Sequence, residues 1–295
     1  MFKRYSKTLG SALALSLMVG TAHAEVSADK AAALGKTLTP VGAEMAGNAA
    51  GTIPSWNGGL AKTDEFKNPF PEDKPKFVIT GANYKEYAAN LTDGQKAMFA
   101  KYPDTYKMPV YETRRTSAYP QFIYDDSKTN ATKTKLLANG NGLENYEEGV
   151  PFPLPQNGVE AIWNHIVRYR GGSVSRVVAQ ATPQVNGDYT IVRFKDEFTF
   201  RNKLTDYKPD QDKNVLFYFK QDVISPARLA GNVLLVHETL DQVKEPRKAW
   251  VYNAGQRRVR RAPQVSYDGP GTASDGLRTS DNFDMYNGAP DRYDW

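Results

Sequence analysis

Few side chains in this sequence stand where chemistry would need them. Past residue 24 the histidines are His165 and His237, and neither has further ligands at metal-binding spacing. Both are expected to be packed or surface side chains. The carboxylate pairs Asp125-Asp126 and Glu147-Glu148 are candidates for acid–base chemistry, but in polar segments they read as solvated. Asp281-Asn282-Phe283-Asp284 carries oxygen ligands in series, without the Asp/Asn at positions 1, 3, 5 and Glu at 12 of a calcium loop. Cysteine is absent, which excludes thiol catalysis, disulfides, cysteine-bound zinc and a lipid-modified N-terminal cysteine. No Gly-x-Ser-x-Gly, no phosphate-cradling glycine loop and no His-Glu-x-x-His occurs. The expectation is a protein with no catalytic residue, metal or cofactor, and not an enzyme.

Two other patterns remain. Arg257, Arg258, Arg260 and Arg261 are the densest run of positive charge. In an exported chain they suit anionic lipid headgroups or a partner protein, not nucleic acid; the alternative is a solvated outer strand guarded by charge. The second pattern is a pair of runs that are apolar at successive positions, 215–219 and 233–236. They belong either to an ordinary core between layers or to a curved sheet whose apolar interior holds a lipid or another hydrophobic ligand. Under the second reading Val192, Phe194, Phe198, Phe217, Phe219, Leu235 and Trp250 are the candidate cavity residues.

The elements that must position these residues are legible in outline. Lys3, Arg4 and Lys7, then an apolar run over 9–19 and Thr21-Ala22-His23-Ala24, predict a signal peptide over residues 1–24, cleaved before Glu25. The run falls short of the ~20 residues a spanning helix needs. The formal charge of +5 falls to +2 once that segment is removed, so charge says little about partners. An exported, unlipidated chain without cysteine fits a bacterial periplasm. Residues 25–157 are expected to be a helical and extended region wrapping a sheet. Within it, Ser27 caps a short helix, Thr92 and Gln95 form a capping box, and two strands are expected at 110–113 and 121–124.

Residues 158–295 are expected to hold one helix and an antiparallel meander. Val159, Ile162, Trp163, Ile166 and Val167 form one apolar stripe over 158–169, capped by Asn157. Ile162, Trp163 and Ile166 are its candidate lid residues. From residue 173 the period changes to two. Asn186-Gly187 is a strong hairpin signal, and over 188–200 Val192, Phe194, Phe198 and Phe200 alternate with polar positions. Runs at 215–220, 232–240 and 247–263 complete six candidate strands without helical crossovers, which argues for an antiparallel sheet. In the last hairpin Trp250 and Tyr252 share one face and Ala249 and Val251 the other, so only one pair can look inward. Residues 264–295 read as turns with no closing element, which suggests that the fold is truncated at the C-terminus.

Four motifs carry a resemblance: Gly51-Thr52-Ile53-Pro54-Ser55-Trp56-Asn57-Gly58-Gly59, Gly149-Val150-Pro151-Phe152-Pro153, Trp163-Asn164-His165, and Trp250-Val251-Tyr252 with Gln256-Arg257-Arg258-Val259-Arg260-Arg261-Ala262-Pro263. In this order they resemble a proteobacterial family of unknown function labelled outer-membrane lipoprotein-sorting protein, similar to the LolA/LolB carriers. The resemblance implies an incomplete antiparallel β-barrel with a helical lid over an apolar cavity. It also implies a periplasmic carrier role beside an inner-membrane resistance–nodulation–division (RND) type transporter and an outer-membrane protein. The expected function is a soluble periplasmic carrier or binding protein for lipid, lipoprotein acyl chains or another hydrophobic ligand. The alternative is an accessory subunit that docks on such a transporter without carrying anything, through its arginine strand.

Overall fold

The computed structural model describes residues 26–60, 67–208 and 214–295. The expected signal peptide lies outside these residues. The architecture is α+β, dominated by antiparallel pairing. Its first part is a set of small local units. Helix α1 (Ala28–Ala31) starts at Ser27, whose hydroxyl accepts from the Lys30 amide. Strand β1 (Phe77–Thr80) pairs with β2 (Lys107–Val110) over the fully buried Phe99 of α2 (Asp93–Lys101). The capping box of α2 forms as its spacing requires, with Thr92 and Gln95 exchanging hydrogen bonds of 2.9 and 3.2 Å.

The strand expected at 121–124 is instead the start of α3 (Gln121–Lys133), so the expected strand pair does not form; β2 pairs with β1. Phe122, Ile123 and Tyr124 favour a strand locally, yet Ile123, Ser127, Asn130 and Ala131 are buried together at helical spacing. This buried face is half polar because it holds backbone. Ser127 Oγ donates to the Ile123 carbonyl and accepts from the Val150 amide, while Asn130 donates to the Glu147 and Val150 carbonyls and accepts from the Glu147 amide. Gly149 is required here, since a Cβ on it would lie 2.4 Å from the Ser127 nitrogen.

Strands β3 (Lys135–Leu136) and β4 (Leu143–Glu144) form a short pair that leads to α4 (Gly158–Ile166). Asn157 caps α4 by accepting from the Glu160 amide at 2.9 Å. Its apolar stripe buries Trp163 and Ile166 against Phe152, Phe200, Leu216 and Phe217. The Trp163 indole donates to the Gly140 carbonyl at 2.8 Å, and Asn164 pairs with both backbone groups of Phe152. The Trp-Asn-His motif thus clamps the helix to its neighbours.

Beyond α4 the chain forms one six-stranded antiparallel sheet in the order β10-β9-β8-β7-β6-β5. Its strands are β5 (Ser173–Pro183), β6 (Tyr189–Phe200), β7 (Val215–Ser225), β8 (Val233–Thr239), β9 (Lys248–Asn253) and β10 (Arg258–Arg261). The Asn186-Gly187 turn joins β5 to β6, with Gly187 at φ 90°. In the β9–β10 turn the left-handed residue is Arg257, at φ 52°. Strands β5 and β10 are opposite edges and do not pair with each other, so the sheet stays open.

Register explains the doubly apolar runs. A bulge between Val215 and Phe217 turns Leu216 into the core beside α4, so three successive residues are buried. In β8 no bulge is needed: Leu234 and Val236 are buried on one face, while Val233 and Leu235 are half-buried on the other. The face carrying Phe198, Phe219, Leu234 and Val236 is covered by residues 264–287. This segment is built of turns, yet it is tied down. Gln180 and Thr182 of β5 donate to the Ala273 carbonyl, and Arg247 reaches the Val265 carbonyl and Asn287. The turn-rich residues 264–287 thus leave the sheet open at its edges and form a cap across one face.

Candidate functional site

A cavity of about 240 Å³ lies between the sheet and this cap. Phe198 of β6, Phe217 and Phe219 of β7, and Leu234 and Val236 of β8 form its apolar wall. Strand pairing fixes them on one face, because Phe198 lies opposite Phe219, Phe219 opposite Val236, and Gln221 opposite Leu234. Val265 and Phe283 face them from the cap, with the Phe283 ring centred 6.2 Å from that of Phe219.

The rest of the lining is charged. Arg168, Arg170, Arg176, Arg247 and Arg278 meet Asp196, Glu238 and Asp284 there. Arg168 Nη2 donates to Asp284 Oδ1 at 2.6 Å, and Arg170 Nη2 to Asp284 Oδ2 at 2.9 Å. His165 Nε2 lies 2.9 Å from the Asp284 carbonyl oxygen, which fastens the cap to α4. Arg176 Nε donates to the buried Asp196 at 3.3 Å, and Gln221 donates to the other oxygen of that carboxylate. Arg278 has no carboxylate partner among the described residues; it reaches the Gln180 side chain and the Thr272 carbonyl, and lies over the Phe283 ring. Arg247 and Glu238 form an ion pair with both side chains buried.

Burial displaces several of these groups. It pushes the Arg170 guanidinium below its ordinary value, with neighbouring Arg168 acting the same way and Asp284 opposing. Burial alone lowers Arg278. Both remain cationic, as an arginine does at any physiological pH. Behind the cavity Asp281 is buried with no hydrogen-bond partner on either oxygen among the described residues. Burial raises its carboxyl above the usual range; Arg247 and the Tyr267 amide pull it back in part, although that amide does not reach hydrogen-bond geometry.

The sequence candidates separate on this framework. Phe198, Phe217 and Phe219 line the cavity. Val192 and Phe194 share their face but pack with Val223, Leu229 and Ala273 farther along the sheet. Leu235 and Trp250 lie on the opposite face: they pair with each other, and Trp250 stands between the His237 ring, at 4.8 Å, and the Arg261 guanidinium, at 4.8 Å. Of the two residue pairs on β9, Ala249 and Val251 are therefore the inward pair. Trp163 and Ile166 are core residues at one end of the phenylalanine wall, with Ile162 packed beside them, and the segment facing the sheet across the cavity is the cap.

The four arginines of the last hairpin are all exposed, but alternation divides them. Arg258 and Arg260 fall on the face of Val251, Arg261 falls on the face of Trp250, and Arg257 lies in the turn. The arginines gathered in space are instead scattered in sequence. No strand register links them: Arg176 lies on β5, whereas Arg168, Arg247 and Arg278 lie outside the strands.

A second hollow, of about 500 Å³, lies between Tyr146, Glu148, Leu216 and Leu240.

Fold and site together define an α+β protein in which an open antiparallel meander is covered by its own C-terminal segment, with an amphipathic cavity between them. Residues 78–295 match the family described as protein of unknown function (DUF1329), and the chain belongs to that family. It is also similar to a protein of Pseudomonas aeruginosa described as uncharacterized protein PA3922, with 65% identity over 290 residues that cover 96% of this chain and 64% of that relative. The chain thus spans about 64% of the length of that curated relative. No solved structure matches it.

Proposed function

We propose that this chain is a periplasmic carrier or binding protein for a hydrophobic ligand, either a lipid, a lipoprotein acyl chain or another alkyl-bearing molecule. The cavity walled by Phe198, Phe217, Phe219 and Phe283 carries this reading. An apolar hollow with a few convergent polar groups is the usual form of a small-molecule site. The size of the hollow limits what it takes. At about 240 Å³ it is smaller than the ~300–1,000 Å³ of sites for drug-sized ligands, so it seats one short chain or the end of a longer one. In this reading the chain binds and releases without catalysis. Export rests on the signal pattern of residues 1–24. A covered antiparallel meander also supports kinship with the LolA/LolB carriers, here with an open sheet.

Native mass spectrometry of the exported protein, prepared without detergent, tests the proposal. The expected result is a co-purifying hydrophobic ligand, or uptake of a fluorescent fatty acid that Val236→Phe prevents. A protein that carries nothing and ignores the probe overturns it. The second reading, an accessory subunit docking on an RND-type transporter and its outer-membrane partner, is favoured by one observation: every residue of the edge strand β10 is exposed, and three of the four are arginine. Reversing charge at Arg258 and Arg260 would then abolish activity, while Val236→Phe would leave it unchanged.

A further inference from the structure

Three guanidiniums at the cavity share too few acceptors. Arg168 and Arg170 divide a single carboxylate, that of Asp284, between them. Arg176 leans on Asp196, which also receives Gln221. Three positive charges thus face two negative ones, and both Arg168 and Arg176 act on Arg170 as repelling neighbours. An independent observation points the same way: Arg170 Nε is buried and has no acceptor among the described residues. A buried donor of a charged group left without an acceptor is costly, and an anionic oxygen is the partner that would satisfy it.

The surroundings fit an anion with an apolar tail. The Arg170 guanidinium lies over the Phe198 ring, 5.5 Å from its centroid, so the cationic group and the apolar wall adjoin. Arg176 is half-exposed while Arg170 is largely buried, so the cluster runs from solvent into the cavity. We propose that Arg168, Arg170 and Arg176 form the headgroup subsite of this cavity, and that its ligand is an anionic amphiphile with a carboxylate or phosphate head and an alkyl tail against Phe198 and Phe219. This rests on the binding-protein reading and narrows it. Guanidinium forks match both heads, since each presents at least two oxygens. Asp284 holds the donors of Arg168 and Arg170, and a ligand's anionic head competes with it for them.

The test uses the full chain and four probes: dodecanoate, dodecyl phosphate, dodecanol and inorganic phosphate, measured by calorimetry at low salt. Dodecanoate and dodecyl phosphate should bind about tenfold or more tightly than dodecanol, as charge-assisted hydrogen bonds require. Arg170→Met should remove that preference, bringing the affinity for both anions down to that for dodecanol. Arg176→Gln, which keeps a side-chain donor beside the buried Asp196, should lower the preference severalfold and make it less sensitive to salt. The two alkyl anions tell a carboxylate head from a phosphate head. Dodecanol binding equal to that of both anions overturns the subsite and leaves the carrier reading standing. No binding by any alkyl probe overturns the carrier reading; if inorganic phosphate then still binds in an Arg170-dependent way, the anion site survives without its tail.

Discussion

Glu238 on β8 and Arg247 at the entrance to β9 are ion-paired across 2.5 Å, with side chains 3% and 4% exposed. The pair joins the sheet to its cap, because Arg247 also donates to the Val265 carbonyl at 3.2 Å and to Asn287 Oδ1 at 3.1 Å. Removing one partner leaves a buried charge behind. Glu238→Gln or Arg247→Met should each cost about 3–5 kcal/mol of unfolding free energy, whereas the double replacement Glu238→Leu/Arg247→Met should recover most of it. Urea denaturation of the three variants measures this. Equal losses in single and double variants would show that the pair itself is stabilising.

Asp281 gives a pH dependence of definite sign. Its folded-state pKa is raised by burial, so the folded protein holds this proton more tightly than the unfolded chain does. The stability it supports is present below the ordinary aspartate value, about 3.9, and is lost as pH rises through the folded value. Asp281→Asn, which cannot ionise, should therefore melt higher than the parent at neutral pH, with the difference vanishing toward pH 4. Thermal melts of both proteins across that interval provide the comparison. A gap that widens on acidification would contradict the assignment.

Filling the cavity should separate binding from folding. Val236 lines it and is 5% exposed. Val236→Phe adds bulk where there is space, so its stability cost should stay at or below the roughly 1–3 kcal/mol of an overpacked core. Affinity for an alkyl probe should fall at least tenfold. Fluorescence titration beside a chemical melt reads both quantities.

Asn164 shows how the Trp-Asn-His motif works. It accepts from the Phe152 amide at 2.9 Å and donates to the Phe152 carbonyl at 2.7 Å. Asn164→Leu strands both backbone groups, at about 1–3 kcal/mol for each one left without a partner. Exchange of the Phe152 amide hydrogen should accelerate with the loss of stability. Unchanged protection there would mean that water replaces the side chain.

The parts of this fold that were legible share one property: local pattern and tertiary environment agree. The stripe Val159, Ile162, Trp163, Ile166 became α4, and the alternation of Val192, Phe194 and Phe198 became the inner face of β6. Helix α3 was hidden because its buried face carries Ser127 and Asn130, which serve backbone groups and leave no apolar stripe. The side on which Trp250 lies was hidden for another reason. Both faces of β9 are apolar, and only pairing through β8 and β7 decides which meets Phe219. The site's arginines were the least legible, since density of charge along a chain does not measure density in space. The run at 257–261 drew attention by its spacing, while Arg168, Arg170 and Arg176 converge only through the exit of α4 and the start of β5.

The contact between Gln180 and Ala273 spans 93 positions of sequence. All six strands come before its second half. As the chain is made, β5 to β10 can pair while the phenylalanine wall still lacks its cover. Closing so long a loop is slow. For that interval Phe219, Leu234 and Val236 lack the cover that residues 264–287 give them. This apolar face is therefore uncovered between the pairing of β10 and the docking of Ala273, and the cap ends that interval.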